Sequence, residues 1–235
     1  MTIVIPAKNE AKLISTLLNS LFMQDYPAMS STKVYLADAN STDGTPDIAR
    51  SYAEHLNIEV IAGGMPSVGR NAGARRANSS YVLFIDADIE LADSTLVRRA
   101  VEMMRSKSLH CVTTNIACAS GSSWDQMLYV GNNCMQHLSR LYKPFSTGMF
   151  MLFDLAKFNA LGGFHEQALY AEDYLLSQKV VPSRFGILSG CVQTTNRRFT
   201  KMGHFKLVRL FLNTALHSWN ESFFLRDHKY WHSET

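Results

Sequence analysis

The sequence predicts an α/β protein with a mainly parallel sheet and helices on both faces. Three observations predict this fold class. Short apolar runs alternate with helical patterns over residues 1–85, in the order βαβαβαβ. Polar residues or glycines follow most of the apolar runs, as is typical of strands that end at the rim of an open sheet. The 235 residues are 46% hydrophobic and 18% charged, a composition typical of a globular protein with a substantial core.

The first half contains four predicted strands with helices between them. The strands are residues 3–5, 34–37, 58–61 and 81–85, and the helices are residues 10–23, 46–55 and 67–78. Leucines at helical spacing predict the first helix, and Pro46 suits the first turn of the second. Pro6 is expected to stop the first strand, and Gly63-Gly64 to break the third.

The second half is less regular. Its predicted helices are residues 93–107, 124–141, 174–180 and 205–219, and its predicted strands are residues 111–117 and 148–153. Without a flexible linker, the halves are expected to form one body. We predict one boundary near residue 107, which separates residues 1–107 from residues 108–200, and a C-terminal helix and tail over residues 201–235.

Composition limits the classes of function. The net charge of +3 is too small to indicate nucleic-acid binding. The four cysteines have no C-x-x-C spacing, so we expect thiols in a reducing compartment and no zinc site. No signal peptide and no apolar run of membrane-spanning length are recognisable. We therefore expect a cytoplasmic protein, with peripheral contact at the inner face of the membrane as an open alternative.

Carboxylates stand where two of the predicted strands end. Asp38 follows the second strand, and Asp86 and Asp88 follow the fourth. Ligands bind at this rim of open α/β sheets, and Mg²⁺ takes one or two carboxylates together with substrate phosphates. Asp86 and Asp88 therefore indicate a metal–diphosphate site, although a lone D-x-D pair more commonly forms a solvated acidic turn. Asp38 has no evident role in its own backbone.

Two further segments indicate ligand contact. After the first strand, Pro6 and Ala7 are expected to present backbone groups to a ligand, with Glu10 close by. In the third helix the small residues of Gly69–Ala77 predict close packing on the sheet, and Arg70 lies near the helix start, where phosphate binds well. Solvated first-turn charges are the alternative for Glu10 and its neighbour Lys8.

The four segments V-I-P-A-K-N-E, D-A-N-S-T-D-G-T, G-R-N-A-G-A and F-I-D-A-D, in this order, resemble the GT-A nucleotide-sugar domain of family-2 glycosyltransferases. The resemblance implies a Rossmann-like sheet with an irregular acceptor-side half. It makes residues 1–107 the nucleotide-sugar-binding half and residues 108–200 the acceptor-binding and catalytic half. It also implies that Asp38 contacts the base, Arg70 the nucleotide and Asp86 the ribose or metal shell. Asp88 is the implied ligand of Mn²⁺ or Mg²⁺.

The resemblance extends into the second half. A glycine-rich segment, Leu161–Glu166, precedes Glu172-Asp173, and the family pattern makes Asp173 the catalytic base and Glu172 a substrate contact. Without that family pattern, Glu172 and Asp173 would be interpreted as acidic residues in the first turn of a helix, where they complement the helix dipole. Arg197 and Arg198 partly resemble the Q-x-x-R-W signature of processive synthases, but the register and the missing tryptophan argue against processive synthesis. We expect one or both arginines, with Lys201 and His204, to bind diphosphate from a mobile C-terminal loop, with a solvated basic turn as the alternative.

The expected function is a metal-dependent, inverting transfer of a sugar from a nucleotide-diphosphate sugar to a glycan, lipid-linked or small-molecule acceptor. A non-catalytic nucleotide-sugar-binding module is the alternative from another class. A sugar-phosphate nucleotidyltransferase ranks lower because no glycine-rich loop follows the first strand. The apolar C-terminal helix is expected to pack on the core or a second copy, with a membrane surface as the alternative.

Overall fold

The protein is built around one eight-stranded mixed sheet. The computed structural model describes residues 1–228, so residues 229–235 of the predicted C-terminal tail lie outside the described residues. The strands are β1 (Thr2–Ala7), β2 (Lys33–Asp38), β3 (Ile58–Ala62), β4 (Tyr81–Ile85), β5 (Ile89–Glu90), β6 (Cys111–Cys118), β7 (Phe150–Asp154) and β8 (Phe185–Thr194). Their order in the sheet is β3-β2-β1-β4-β7-β6-β8-β5.

Helices cover the sheet and extend beyond its second half. Within residues 1–228 they are α1 (Ile14–Phe22), α2 (Thr45–Ser51), α3 (Pro66–Arg76), α4 (Leu96–Ser106), α5 (Ser123–Ser139), α6 (Leu155–Ala160), α7 (Glu172–Ser177), α8 (Arg197–Met202), α9 (His204–Leu216) and α10 (Glu221–Phe224). Single 3-10 turns occupy Met29–Ser31 and Pro182–Arg184. None of the helices in this described part of the chain is long and apolar enough to cross a membrane.

The first four strands form the parallel half that the sequence predicts. Strands β3, β2, β1 and β4 lie side by side and run in the same direction. The prediction that Pro6 stops the first strand is wrong, because Pro6 pairs with Ala37 and the strand continues to Ala7. On its other side β1 pairs with β4 only as far as Val4, so the ladder there does not need the missing N–H of Pro6.

The second half continues the same sheet. Strand β7 pairs antiparallel with β4 and β6, and β8 lies parallel to β6. Sequence analysis missed β8, because Gly186, Ser189 and Gly190 interrupt its apolar pattern. Ser189 and Gly190 form a bulge where the register with β6 shifts between Thr114 and Asn115. The pairs β4–β7 and β5–β8 therefore join strands from before residue 107 to strands from after it.

Small residues bring α3 close to the sheet, as predicted. A Cβ on Gly73 would overlap the side chain of Val4, and one on Gly69 would lie 3.1 Å from the Cβ of Ala37. The close approach places Arg70, between these glycines, against the strand ends.

Alternate residues of the strands fill two cores, one on each face of the sheet. Ile3 and Ile5 of β1 belong to the core under α1 and α4. Val4 points to the opposite face, where Phe84 packs against an aromatic cluster that includes Phe153. This alternation is the period-2 pattern of a strand buried on both faces.

The C-terminal helices pack on the body through a third apolar cluster. Phe199 of α8, Leu207 of α9 and Phe224 of α10 are buried with Tyr170. Tyr129 of α5 meets Phe199 edge-on, with ring centroids 5.2 Å apart. One face of α9 thus packs on the protein's own core, as predicted for the C-terminal helix.

Candidate active site

The loops after β1 and β2 are joined at the carboxyl edge of the sheet. The backbone N–H of Asn9 donates to Ser41 Oγ at 2.9 Å, and the N–H of Thr42 donates to Asn9 Oδ1 at 2.9 Å. The N–H of Glu10 donates to Thr45 Oγ1 at 2.8 Å. Asn9 and Asn40 have left-handed backbone angles, φ 55° and 58°, which asparagine tolerates better than most residues. These bonds join the loop that carries Glu10 to the loop that follows Asp38.

Asp38 ends β2 beside Ala7, the last residue of β1, so the structure brings Pro6, Ala7 and Asp38 together. Its Oδ2 accepts the N–H of Ser41 at 3.1 Å, a local backbone role that the sequence did not reveal. Its Oδ1 is buried and has no hydrogen-bond partner among the described residues. An unpaired buried acceptor is costly, and a ligand N–H or O–H would satisfy it.

Arg70 links the two halves of the site. Its guanidinium donates to Asp86 Oδ1 at 2.5 Å and to Glu172 Oε1, and its side chain is 3% exposed. Burial opposes the charge, but the carboxylates of Asp86, Glu172 and Asp173 raise the pKa of Arg70 above its usual value. Arg70 is therefore a permanent cation among three acids. Its contact with a nucleotide stays a prediction.

Glu172 is a buried acid beside this cation. Burial raises the pKa of Glu172 to about 7, against the opposing effect of Arg70 and with the help of the Asp173 charge. A buried acid with a raised pKa beside a specific charge partner indicates a functional site.

Asp173 lies at the start of α7, where backbone donors fix both of its oxygens. Oδ2 accepts the N–H of Gly148 at 2.5 Å, and Oδ1 accepts the N–H of Tyr174 at 2.8 Å. Burial raises the pKa of Asp173, with the charge of Asp86 acting in the same direction. A carboxylate with a raised pKa is a stronger base than a solvated aspartate.

Asp88 faces two arginines at the other side of the site. Arg197 donates to both oxygens of Glu10, at 2.9 and 2.7 Å, and to Asp88 Oδ2 at 3.2 Å. Burial and the charge of Asp86 raise the pKa of Asp88, while Arg198 and Arg197 lower it. The prediction of a loop here is wrong: residues 197–202 form α8, packed through Phe199.

A small cavity opens beside Asp88. It is lined by Asp88, Tyr129, Met149, Thr194, Thr195, Arg197, Arg198 and Lys201. Sequence analysis missed Tyr129, Thr194 and Thr195. A correct assignment of β8 would have placed the two threonines at a strand end next to the arginines. Tyr129 lies on α5, and only the packing of α5 on α8 brings it here.

Other candidate residues lie elsewhere. Glu166 accepts hydrogen bonds from Asn71 at 3.0 Å and from Arg75 at 2.8 Å. His204 forms a hydrogen bond with Asp125 at 2.6 Å. Among residues 1–228, no three His, Cys, Asp or Glu side chains are arranged to hold a metal ion by themselves.

Known proteins resemble this chain in sequence. The family model described as Glycosyl transferase family 2 matches residues 2–164. Poly(ribitol-phosphate) beta-N-acetylglucosaminyltransferase TarS of Staphylococcus aureus is 35% identical over 99 residues, which are 40% of this chain and 17% of that protein. Validoxylamine A glucosyltransferase of Streptomyces hygroscopicus is 33% identical over 93 residues, which are 38% of this chain and 22% of that protein. The chain thus matches about a fifth of these relatives' length.

Solved structures share the fold. Mannosyltransferase PcManGT from Pyrobaculum calidifontis, in complex with GDP-Man and Mn²⁺, matches with a TM-score of 0.67 and 22% identity over 92% of this chain and 64% of that one. Residues 1–349 of S. aureus TarS, in complex with UDP-GlcNAc, match with a TM-score of 0.64 and 24% identity over 83% of this chain and 58% of that one. At these identities the likeness shows the fold alone, and it is the GT-A fold that the sequence predicts.

Proposed function

Since this chain belongs to glycosyl transferase family 2, as the match over residues 2–164 shows, we propose that it transfers a sugar from a nucleoside-diphosphate sugar to an acceptor hydroxyl with inversion at the anomeric carbon. One observation carries the proposal. The strand-end acids Asp38, Asp86 and Asp88 share one edge of the sheet, and Arg70 ties Asp86 to Glu172, next to Asp173. The acids proposed to bind the donor are thereby connected, through Arg70, to the proposed base Asp173.

The nucleoside is assigned to the rim formed by β1 and β2. The unpaired Oδ1 of Asp38 is a buried acceptor for an N–H of the base or a ribose hydroxyl. Pro6 and Ala7 lie beside it and supply backbone and apolar surface. The diphosphate is assigned to the cavity beside Asp88, where Arg197 and Arg198 provide positive charge.

The acids at the end of β4 fit a divalent metal. Asp86 and Asp88 offer oxygen donors. Burial and the charge of Asp86 raise the pKa of Asp88, and a cation would relieve this repulsion. Two carboxylates with diphosphate oxygens are a usual ligand set for Mg²⁺ or Mn²⁺. Asp88, with Asp86 beside it, would hold the ion. When bound, the ion neutralises charge on the leaving diphosphate.

The chemical step is a single displacement at the anomeric carbon. The acceptor oxygen bonds to this carbon, and the bond from the carbon to the β-phosphate oxygen breaks. The acceptor proton passes to the Asp173 carboxylate, and the nucleoside diphosphate leaves. The backbone N–H groups of Gly148 and Tyr174 orient Asp173 for this transfer. The acceptor is a glycan, a lipid-linked sugar or a small molecule that binds beside Glu172.

A screen of nucleotide sugars tests the donor assignment. Thermal unfolding of the wild-type chain is measured with each sugar, with and without Mn²⁺. A ligand at 100 times its Kd stabilises the native state by about 2.7 kcal/mol, so a true donor raises Tm by several degrees. Asp88→Asn is expected to lose the Mn²⁺-dependent part of the shift, whereas Asp25→Asn, a surface control, retains it. If no nucleotide sugar raises the Tm of the wild type under either condition, the donor site is misassigned.

A further inference from the structure

We infer that Arg197 is an exchangeable counter-ion of Asp88: it neutralises this carboxylate until a divalent cation binds, and then turns to the donor diphosphate while it stays paired with Glu10. The inference rests on the proposed function, since it explains how the same site is kept ready for metal and donor. It makes Arg197 a positioning residue with two successive partners.

The contacts of Arg197 are unequal, which favours such an exchange. Two hydrogen bonds, at 2.9 and 2.7 Å, join its guanidinium to both oxygens of Glu10. One longer bond, at 3.2 Å, joins it to Asp88. A bidentate pair is the stronger arrangement. Glu10 is therefore the anchor, and Asp88 is the partner that is released first.

The anchor is itself fixed. Glu10 is 8% exposed, and its backbone N–H is held by Thr45 Oγ1 at 2.8 Å. Arg197 is the first residue of α8, whose position is set by the buried ring of Phe199. Loss of the single Asp88 contact leaves both bonds to Glu10 intact, so Arg197 can release Asp88 while the helix and the Glu10 pair stay in place.

A divalent cation at Asp88 would compete directly with the guanidinium. Both are cations that need the same carboxylate, and their mutual repulsion is strong in a partly buried site. Arg197 lines the same cavity as Arg198 and Lys201, so a guanidinium displaced from Asp88 remains within the region assigned to the diphosphate. Displacement by the metal therefore moves positive charge toward the incoming donor.

The inference predicts two effects of opposite sign for Arg197→Gln. Without nucleotide, the variant should bind Mn²⁺ at least fivefold more tightly than the wild type, because the competing cation is gone. With Mn²⁺ present, it should bind UDP or GDP at least fivefold more weakly, because a diphosphate ligand is gone. A residue that only supports the fold would weaken both, and one that only binds diphosphate would leave Mn²⁺ affinity unchanged.

The test titrates Mn²⁺ alone into the full chain and follows free Mn²⁺ by electron paramagnetic resonance. Lys201→Gln is the matched control. Lys201 lines the same cavity, but within residues 1–228 the ion pairs of Glu10 and Asp88 are with Arg197 and not with Lys201. We expect tighter binding for Arg197→Gln and less than a twofold change for Lys201→Gln. Circular dichroism confirms folding, and Arg197→Met replaces the glutamine variant if that one does not fold.

Three results would overturn the inference. Equal or weaker Mn²⁺ binding by Arg197→Gln removes the counter-ion role, while metal-dependent UDP or GDP binding by the wild type leaves the proposed function intact. Equal tightening in both variants shows a general effect of cavity charge. If neither Mn²⁺ nor any nucleoside diphosphate binds to the wild type, the inference and the proposed function fail together.

Discussion

Replacing Arg70 with methionine should destabilise the protein strongly, and more at high pH than at low pH. Arg70 is the buried cation between Asp86 and Glu172, and Asp173 also lies within its field. Methionine retains much of the side-chain volume but removes the charge. Breaking a buried ion pair in this way costs about 3–5 kcal/mol.

The pH dependence follows from Glu172. Burial raises its pKa from 4.5 to about 7 in the folded protein. Because the folded-state pKa is raised, the contribution of this group to stability is complete below pH 4.5 and is lost as the pH rises to about 7. The loss is about 3 kcal/mol at 1.36 kcal/mol per pKa unit. In Arg70→Met the nearby cation is gone, so the pKa of Glu172 rises further and the loss continues above pH 7.

Urea denaturation between pH 5.5 and 8.5 measures both effects as free energies of unfolding. The difference between wild type and Arg70→Met should be largest at pH 8.5 and should shrink toward pH 5.5. Arg75→Met is the matched control on the same helix, because its pair with Glu166 is solvent-exposed and contributes less than about 1 kcal/mol. A pH-independent difference, or equal losses in the two variants, would refute this electrostatic account of the cluster.

Three further predictions concern single residues. Asp173→Asn should lower turnover about 10²–10⁴-fold and change the donor Kd less than about threefold, measured by sugar transfer and by calorimetry. Asp38→Ala should weaken nucleoside-diphosphate binding about tenfold, the effect of one buried hydrogen bond of ~1.4 kcal/mol; unchanged affinity in calorimetry would remove Asp38 from the base site. Gly148→Ala should destabilise the protein by about 1–3 kcal/mol, because its Cβ would overlap the Arg70 guanidinium. Gly131→Ala, with open space around its Cβ in α5, should be neutral or stabilising in the same melts, and equal losses for the two glycine variants would count against the overlap.

The parallel half of the fold was predictable because each element carries a local signal. The apolar runs of β1 to β4 and the small residues of α3 indicate their own structure. Strand β8 was missed because its glycines and its bulge break the alternation, and its pairing with β6 and β5 is a tertiary contact that the sequence does not show. The extension of β1 through Pro6 likewise depends on tertiary structure. Pairing with β4 ends at Val4, so that only β2 pairs with β1 at Pro6.

The candidate site divides in the same way. Strand ends are recognisable in a sequence, so the acids at the ends of β2 and β4 were predictable. Contacts across the fold are not visible. Nothing local predicts that Arg70 lies between Asp86 and Glu172, or that Arg197 reaches Glu10, since these partners are 16, 102 and 187 positions apart. Such pairs depend on tertiary packing.

The products of donor breakdown test the central claim most directly. The wild-type chain and Asp173→Asn are incubated with Mn²⁺ and the nucleotide sugar that the screen selects, with water as the acceptor, and the products are followed by NMR. We predict slow release of the nucleoside diphosphate and of the free sugar with inverted anomeric configuration, greatly reduced in the variant. Release of a nucleoside monophosphate with a sugar phosphate, a retained anomer, or equal rates in the two proteins would contradict the account.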